Sequence, residues 1–201
     1  MELHEAIRRR AMVRSFAPDP VGRTDVDRIL EAALRSPTAG NTGGTAWVAL
    51  CGPAETALYW EAVTDEAWRA SSSRFPGLRR APVVLLAYAS AAAYVARYSE
   101  PDKSDPALAA DPGHWPVPYW TGDAAFGVMA ALLAAVDTGL GACVLGNFRG
   151  EAALAAALRV PDEWRLFSAV LVGRGDGGDH RSVSLDRPGP AAAERIHWGG
   201  W

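Results

Sequence analysis

The sequence has few cysteines, few histidines and no excess of positive charge, and each shortage argues against a class of protein. Cys51 and Cys143 are the only cysteines among 201 residues, so we expect buried free thiols, no disulfide framework and a location in the reducing cytoplasm. A net charge of −3 argues against a general nucleic-acid or membrane-surface binder, because both need a basic excess. The first five residues lack a basic start followed by an apolar run, so we expect no signal peptide.

Several kinds of catalytic site are also missing from the sequence. The four histidines are scattered and form no pair at metal-ligand spacing, so we expect no metal site; they are His4, His114, His180 and His197. No Gly-x-Ser-x-Gly elbow of a serine hydrolase occurs. Gly139-x-Gly141 stands between a predicted helix and a predicted strand, which is the reverse of the dinucleotide-binding order. Any chemistry is therefore expected to come from a bound organic cofactor.

What the sequence does contain is a long uncharged stretch, from Thr121 to Phe148. No charged residue occurs between Asp123 and Asp137, and a helix that is apolar on every face is typical of a buried one. Thr121 is the predicted N-cap, and the glycines after Asp137 end the helix. Ala142–Leu145 follows as a predicted interior strand. The uncharged stretch is shorter than the roughly 20 residues that cross a bilayer.

The other segments alternate between helical and strand patterns. Helices are predicted for Leu3–Arg10 with Leu3, Ala6 and Ile7 facing inward, for a segment capped by Thr24, from Pro53 to about Trp68, from a Ser90 cap to Tyr98, and for Glu151–Leu158. Strands are predicted for Trp47–Cys51, Pro82–Tyr88 and Leu166–Val172, and a serine loop for Ser71–Ser73. With 49% hydrophobic residues, this predicts one α/β or α+β domain over residues 1–201, with helices on both faces of a sheet.

Two segments lack this periodicity. Residues 99–120 contain five prolines and are expected to form an ordered lid, in which Trp115, Tyr119 and Trp120 would contact a substrate. Ordinary loop packing explains those three aromatic residues almost as well. The tail, residues 181–201, ends in two tryptophans and is expected to pack on its own domain or on a partner chain.

Four arginines lie within seven positions near the N-terminus: Arg8, Arg9, Arg10 and Arg14. One interpretation is that they complement a helix C-terminus and stay solvated. The other is that they bind an anion, because guanidinium groups match phosphate geometry.

Four segments, taken in order, resemble those of the FMN-dependent nitroreductase family. They are Arg10-x-x-x-Arg14-x-Phe16, the stretch Ser36–Asn41, the long apolar helix with its Gly-Leu-Gly-Ala-Cys ending, and Ser184-Leu185-x-Arg187. This resemblance implies a nitroreductase-like α+β fold: a three-layer sandwich with a central, mostly antiparallel sheet flanked by helices. It also implies an intertwined homodimer that binds FMN at the interface. In such a dimer we expect the tail to pack on the partner subunit.

The resemblance also implies which residues hold the cofactor. They are Arg10, Ala11, Met12 and Arg14 along the phosphate, ribityl chain and polar ring edge; Pro37, Thr38, Ala39 and Asn41 of the partner over the ring; Leu145, Gly146 and Asn147 facing flavin N5; and Arg187 at the phosphate. The chain departs from the family pattern at Ala11 and Met12, where a basic residue or histidine and a serine are common. Gly43 and Thr45 replace a usual glutamine and aromatic residue. These changes deplete the phosphate site and open the pocket, and Arg8, Arg9 or Arg174 could substitute.

The function implied by the resemblance is an FMN-dependent oxidoreductase. NAD(P)H would reduce the flavin, and a nitro-compound, quinone or other small electron-poor molecule would accept the electrons. No side-chain acid or base is required in this scheme. One alternative is a flavin-dependent dehydrogenase or oxidase of a biosynthetic intermediate. Another is a non-catalytic homologue that has lost FMN and binds a different ligand.

Overall fold

A four-stranded antiparallel sheet forms the middle layer of the computed structural model, which describes residues 1–70, 76–103, 105–180 and 183–201. The strands are β1 (Thr45–Cys51), β2 (Val83–Ala89), β3 (Gly141–Leu145) and β4 (Arg165–Gly173), in the order β1-β2-β4-β3. Every neighbouring pair is antiparallel. The predicted loop at Ser71–Ser73 lies outside the described residues, as do residues 181 and 182 of the tail.

Helices cover both faces of this sheet. They are α1 (Leu3–Arg9), α2 (Arg23–Leu34), α3 (Pro53–Val63), α4 (Glu66–Ala70), α5 (Ala91–Tyr98), α6 (Pro106–Ala110), α7 (Tyr119–Asp137) and α8 (Glu151–Leu158). Alternate strand residues face opposite layers: Val83 and Leu85 pack with α2 and α7, whereas Val84 and Leu86 pack with α3 and α8. The predicted three-layer α+β sandwich is therefore confirmed.

Local patterns in the sequence predicted the bounds of most helices and strands to within a few residues. α8 has the predicted bounds, and all seven residues of β2 are buried. Ser90 caps α5 as predicted, because its hydroxyl accepts from the Ala93 amide at 3.2 Å. The predicted lid segment contains the short helix α6, which Asp105 caps by accepting from two amides.

Three predicted helix boundaries were wrong. α2 begins at Arg23 after Gly22, so Thr24 is not its cap. α7 begins at Tyr119, and the Thr121 hydroxyl donates to the Pro118 carbonyl at 2.6 Å instead of capping the helix. The helix predicted from Pro53 to Trp68 is interrupted after Val63, because Thr64 is extended. Asp65 then starts α4 by accepting from the Trp68 amide at 2.6 Å.

The prediction that α7 is buried on every face was also wrong. One face packs against α2 and the sheet through Val128, Ala131 and Ala135. The opposite face is open, with Phe126 55% and Met129 40% exposed. By length and composition α7 could cross a membrane, but one of its faces packs against α2 and the sheet. In α1, likewise, only Ala6 is buried, while Leu3 and Ile7 point outward.

The two cysteines differ in exposure, which corrects the expectation that both are buried. Cys143 is buried and Cys51 is exposed. Burial raises the pKa of Cys143 from 9.0 to about 11, so its thiol stays neutral. A raised folded-state pKa contributes stability that is complete below the unfolded value, and this contribution is lost as the pH rises through about 11.

We expect iodoacetamide at about pH 8 to alkylate Cys51 and to leave Cys143 unmodified in the folded protein, because Cys51 is exposed to the reagent and Cys143 is buried. Peptide mass spectrometry measures both sites, and modification in denaturant provides the control. Equal labelling of the two cysteines in the folded protein would contradict the burial of Cys143.

Candidate functional site

The segment that follows α1 runs along the outer edge of β3. Met12 pairs with Ala142 in a parallel bridge, and the Val13 amide donates to the Ala142 carbonyl at 3.0 Å. This approach requires glycine at position 141, because a β-carbon there would lie 2.7 Å from a Val13 methyl group. The N-terminal motif and the strand after the long helix are therefore neighbours.

Arg14 is held through both its backbone and its side chain. Its amide donates to Asp179 Oδ2 at 2.9 Å, and its Nη1 donates to the Met12 carbonyl at 3.1 Å. Arg10 ends α1, with its amide donating to the Ala6 carbonyl at 2.9 Å. No pattern in the sequence pointed to Asp179, because it lies 165 residues from Arg14.

Arg80 is another residue that the sequence did not single out. Its Nε donates to the Phe16 carbonyl at 2.9 Å, and its Nη2 donates to Ser15 Oγ at 3.0 Å and to the Asp176 carboxylate. The Gly178 amide, then Ser15 and Arg80, hold the pKa of Asp176 below its usual value. Arg80 thus links Ser15 and Phe16 of the N-terminal motif to Asp176 in the turn that follows β4.

Arg14 and Arg80 also line one cavity of about 190 Å³. Its other lining residues are Ser15, Pro76, Gly77, Asp176, Gly178, Asp179 and His180. Arg80 therefore supplies a second guanidinium to this cavity, whereas Arg8 and Arg9 lie exposed on α1.

The end of β3 forms the wall of a separate, aromatic cavity of about 180 Å³. Its lining residues are Tyr59, Trp60, Val63, Thr64, Trp68, Leu78, Leu145, Gly146, Asn147, Phe148 and Arg149. The Tyr59 hydroxyl donates to Asn147 Oδ1 at 2.8 Å, which fixes the orientation of that amide. Leu145, Gly146 and Asn147 are thus brought together at one opening, with α3 behind them.

Two buried donors in this cavity have no partner in the described part of the chain. They are Trp60 Nε1 and Asn147 Nδ2. A buried donor without a partner costs about 1–3 kcal/mol, so a ligand with acceptor atoms would stabilise this wall. A flavin ring carries such atoms on its carbonyls and ring nitrogens. Gly146 presents no side chain, and the ring of the exposed Phe148 lies 3.3 Å from the position that a β-carbon would occupy. The residues present therefore fit a flavin.

The small-residue loop between α2 and β1 is organised by Asp123 of α7. Asp123 is 5% exposed, and its Oδ2 accepts from the Ala39 amide at 2.7 Å and from the Tyr94 hydroxyl at 2.6 Å. Burial, and then the bond to Asp123, raise the pKa of Tyr94, so the phenol remains a donor. Arg97 Nε adds a bond to the Gly40 carbonyl at 3.0 Å.

The ends of this loop leave several predicted residues accessible. Asn41 is exposed and adopts a left-handed backbone with φ of 53°. Pro37 is exposed and Thr38 is half-buried. The Thr38 hydroxyl accepts from the Gly43 amide at 2.9 Å, which fixes the turn. Their predicted contact with a cofactor remains a prediction.

The three aromatic residues assigned to a substrate lid belong to one ring cluster with α5. Trp115 is 8% exposed, with ring centroids 4.6 Å from Tyr98 and 5.8 Å from Tyr94. Its indole Nε1 donates to the Leu108 carbonyl at 3.0 Å. Tyr119 and Trp120 flank it at 6.0 and 6.1 Å, and Tyr119 is exposed. Tyr119 is therefore the most accessible of the three, and contact of all three with a substrate remains a prediction.

The predicted site residues form two groups on opposite edges of the sheet. Arg10–Arg14 and Leu145–Asn147 lie at the β3 edge, whereas the loop Pro37–Asn41 leads into β1 at the other edge. The strand order separates β1 from β3 by three strand spacings, or roughly 14 Å. A single protomer therefore does not bring the two groups to the same point.

Arg187 lies in the exposed C-terminal tail, just after a short 3-10 helix at Val183–Asp186. The side chains of Ser184 and Leu185, which carry part of the fourth motif, lie outside the described residues. The phosphate role of Arg187 remains a prediction.

The family model and the solved structures that match this chain point to the same family. The sequence model of the nitroreductase family matches residues 7–174. The nitroreductase CinD from Lactococcus lactis, solved in complex with 4-nitrophenol, is 20% identical, with a TM-score of 0.72 over 94% of this chain and 100% of that chain. NfrA2 of B. megaterium is 17% identical, with a TM-score of 0.75 over 100% of this chain and 76% of that chain.

A further solved structure covers nearly all of both chains. A putative NADH dehydrogenase/NAD(P)H nitroreductase from Parabacteroides distasonis is 16% identical, with a TM-score of 0.69 over 99% of this chain and 98% of that chain. No curated protein matches the sequence significantly. At these identities the solved structures establish the fold.

Proposed function

The chain belongs to the nitroreductase family, and from that membership we propose that it is an FMN-dependent oxidoreductase. Family membership supports an oxidoreductase. The identities of the flavin, the electron donor and the electron acceptor are part of the proposal. When bound, FMN would supply hydride and electron transfer between NAD(P)H and a nitro-compound, quinone or other small electron-poor acceptor. The CinD complexes with 4-nitrophenol and chloramphenicol support an acceptor of that size. A location in the cytoplasm belongs to the same proposal.

The observation that carries this proposal is the oriented amide at the end of β3. Tyr59 fixes Asn147 through Oδ1, which leaves Nδ2 buried and without a partner among the described residues. Gly146 beside it has no side chain. These features suit an acceptor-rich ring lying against Leu145, Gly146 and Asn147. The protein would contribute position and hydrogen bonds rather than an acid or base.

The N-terminal arginines would supply positive charge along the same ligand. Arg14, fixed by Asp179 and the Met12 carbonyl, is proposed to lie near the polar edge of the ring. Arg10 is proposed to bind the phosphate or ribityl chain, with Ala11 and Met12 beside it. Arg187 of the tail would complete the phosphate site.

The open face of α7 supports a homodimer. Phe126 and Met129 are exposed on a helix without charge between Asp123 and Asp137. Leu3 and Ile7 of α1 and Leu34 of α2 are exposed apolar residues on the two helices that pack against α7. Apolar surfaces of this kind mark protein interfaces. A partner packed there would supply the second group of site residues, Pro37, Thr38, Ala39 and Asn41, across the interface.

The tail supports the same assembly. Trp198 and Trp201 are almost completely exposed, and residues 186–201 are exposed throughout. A tail whose residues 186–201 are all exposed is suited to pack on a partner subunit. We therefore propose that residues 181–201 contact the second copy.

The first test is the absorbance of the purified protein. We expect a yellow protein with a flavin spectrum that NADPH or NADH bleaches without oxygen and that a nitroaromatic compound restores. A flavin spectrum that neither nucleotide bleaches would favour the dehydrogenase or oxidase alternative. A colourless preparation that cannot be reconstituted with FMN would favour a homologue that has lost the cofactor.

Arg10→Ala is expected to weaken FMN binding by about 10- to 100-fold, because charge-assisted hydrogen bonds contribute about 1.5–3 kcal/mol. Fluorescence titration of the apo-protein with FMN measures the dissociation constant. Arg9→Ala is the matched control, since Arg9 is exposed on α1 and paired with Glu5 at 3.3 Å. Equal affinities of the two variants would show that the phosphate site lies elsewhere.

A further inference from the structure

A cavity of about 290 Å³ lies on the α8 side of the sheet, the face opposite α7. It is enclosed by α8, the loop that leads into β4 and the end of β2. The lining residues are Tyr88, Glu151, Ala152, Ala155, Ala156, Arg159, Val160, Pro161, Asp162, Trp164 and Arg165. None of them belongs to the flavin site proposed above. The volume is close to the lower end of the range for small-ligand sites, about 300–1,000 Å³.

Tyr88 places a buried hydroxyl in the wall of this cavity. The residue is 3% exposed, and its hydroxyl has no hydrogen-bond partner in the described ranges. The other two fully buried tyrosines, Tyr59 and Tyr94, donate to Asn147 and Asp123. Phenylalanine would fill the position without leaving a polar group unpaired. Burial, and then Glu151, raise the pKa of Tyr88 to about 12, so the hydroxyl is available as a donor.

Arg159 adds an uncommitted positive charge. It follows α8 in a left-handed conformation, with φ of 56° and ψ of 41°, at a position where glycine is usual. Its guanidinium has no ion pair or hydrogen bond within the described residues. Glu151, by contrast, is already engaged, because it accepts from the Leu166 amide at 3.2 Å and lies 3.9 Å from Arg165.

The other charged lining residues are Asp162, on an exposed turn, and Arg165, which lies near Glu151. Ala155, Val160 and Trp164 provide apolar surface. The buried donor, the free guanidinium and the apolar wall match a molecule that combines a carboxylate with a flat apolar body.

We propose that this cavity binds a small carboxylic acid with a flat apolar body. Arg159 and the Tyr88 hydroxyl hold the carboxylate, and Ala155, Val160 and Trp164 contact the body. This site is separate from the flavin site and does not depend on the redox proposal.

Benzoate is the probe that tests the proposal, with the full-length protein in its purified state. Ligand-observed NMR should show benzoate bound to the wild type. Benzamide has the same shape without the charge, and benzylamine carries the opposite charge, so both should bind more weakly. Absence of benzoate binding, or stronger binding of benzylamine, overturns the proposal.

Two variants test whether benzoate binds in this cavity, and neither is expected to lower the stability of the protein. Tyr88→Phe removes an unpaired hydroxyl, and Arg159→Gly relieves a left-handed residue, so both proteins should keep or raise their Tm. Tyr88→Phe should weaken benzoate binding about fivefold, and Arg159→Gly more than about tenfold. Arg9→Ala should leave benzoate binding unchanged, because Arg9 is exposed on α1 and paired with Glu5. Equal binding by the wild type and both cavity variants would place benzoate elsewhere and overturn the proposal.

Discussion

Replacing Phe126 by aspartate is expected to convert a dimer into monomers that no longer retain FMN. Phe126 is 55% exposed on the open face of α7, where a second copy is proposed to pack. A carboxylate placed there would lose water without gaining a partner, at a cost of several kcal/mol. A loss of that size raises the dimer dissociation constant by at least about 100-fold. Size-exclusion chromatography with light scattering measures the change.

Leu58→Asp is the matched control for this variant. Leu58 is an exposed apolar residue of α3, on the other side of the sheet, and the same charge there should leave the dimer intact. FMN should dissociate from the Phe126→Asp protein, because the loop Pro37–Asn41 would no longer reach the β3 edge of its partner. A wild-type monomer, or a Phe126→Asp dimer with normal FMN affinity, would refute the proposed interface.

Asp123→Ala is expected to lower the free energy of unfolding by about 2–5 kcal/mol, because the buried Tyr94 hydroxyl and the partly buried Ala39 amide lose their acceptor. The Ala39 amide and the Tyr94 hydroxyl share Asp123 Oδ2. Without it, the loop before β1 also loses its bond to α7. We therefore expect weaker FMN binding as well as a lower denaturant midpoint, measured by urea unfolding and FMN titration.

Two conservative variants separate these effects. Asp123→Asn keeps an acceptor oxygen and should lose less stability than Asp123→Ala. Tyr94→Phe removes one donor but leaves the Ala39 bond, so its loss of FMN affinity should be small. If the free energy of unfolding of Asp123→Ala lies within about 0.5 kcal/mol of the wild-type value, then Asp123 does not hold the loop.

The helix α7 shows where a pattern in the sequence was sufficient and where it was not. Its length and apolar composition predicted a central helix followed by a strand, and both exist. Composition did not predict that Phe126 and Met129 would remain exposed, because an apolar face packs equally well against its own chain or another. The carboxylate of Asp123 in this largely apolar helix was visible in the sequence, but its partners were not.

The sequence by itself determined the strand and helix order, the buried character of β2 and the family, because periodicity and motif spacing are local properties of the chain. Tertiary structure alone decided which polar groups meet. Ala39 and Asp123 are 84 residues apart, and Tyr59 and Asn147 are 88 apart. Such pairs depend on how the helical layers pack on the sheet. No local pattern in the sequence predicts a contact between residues so far apart in the chain.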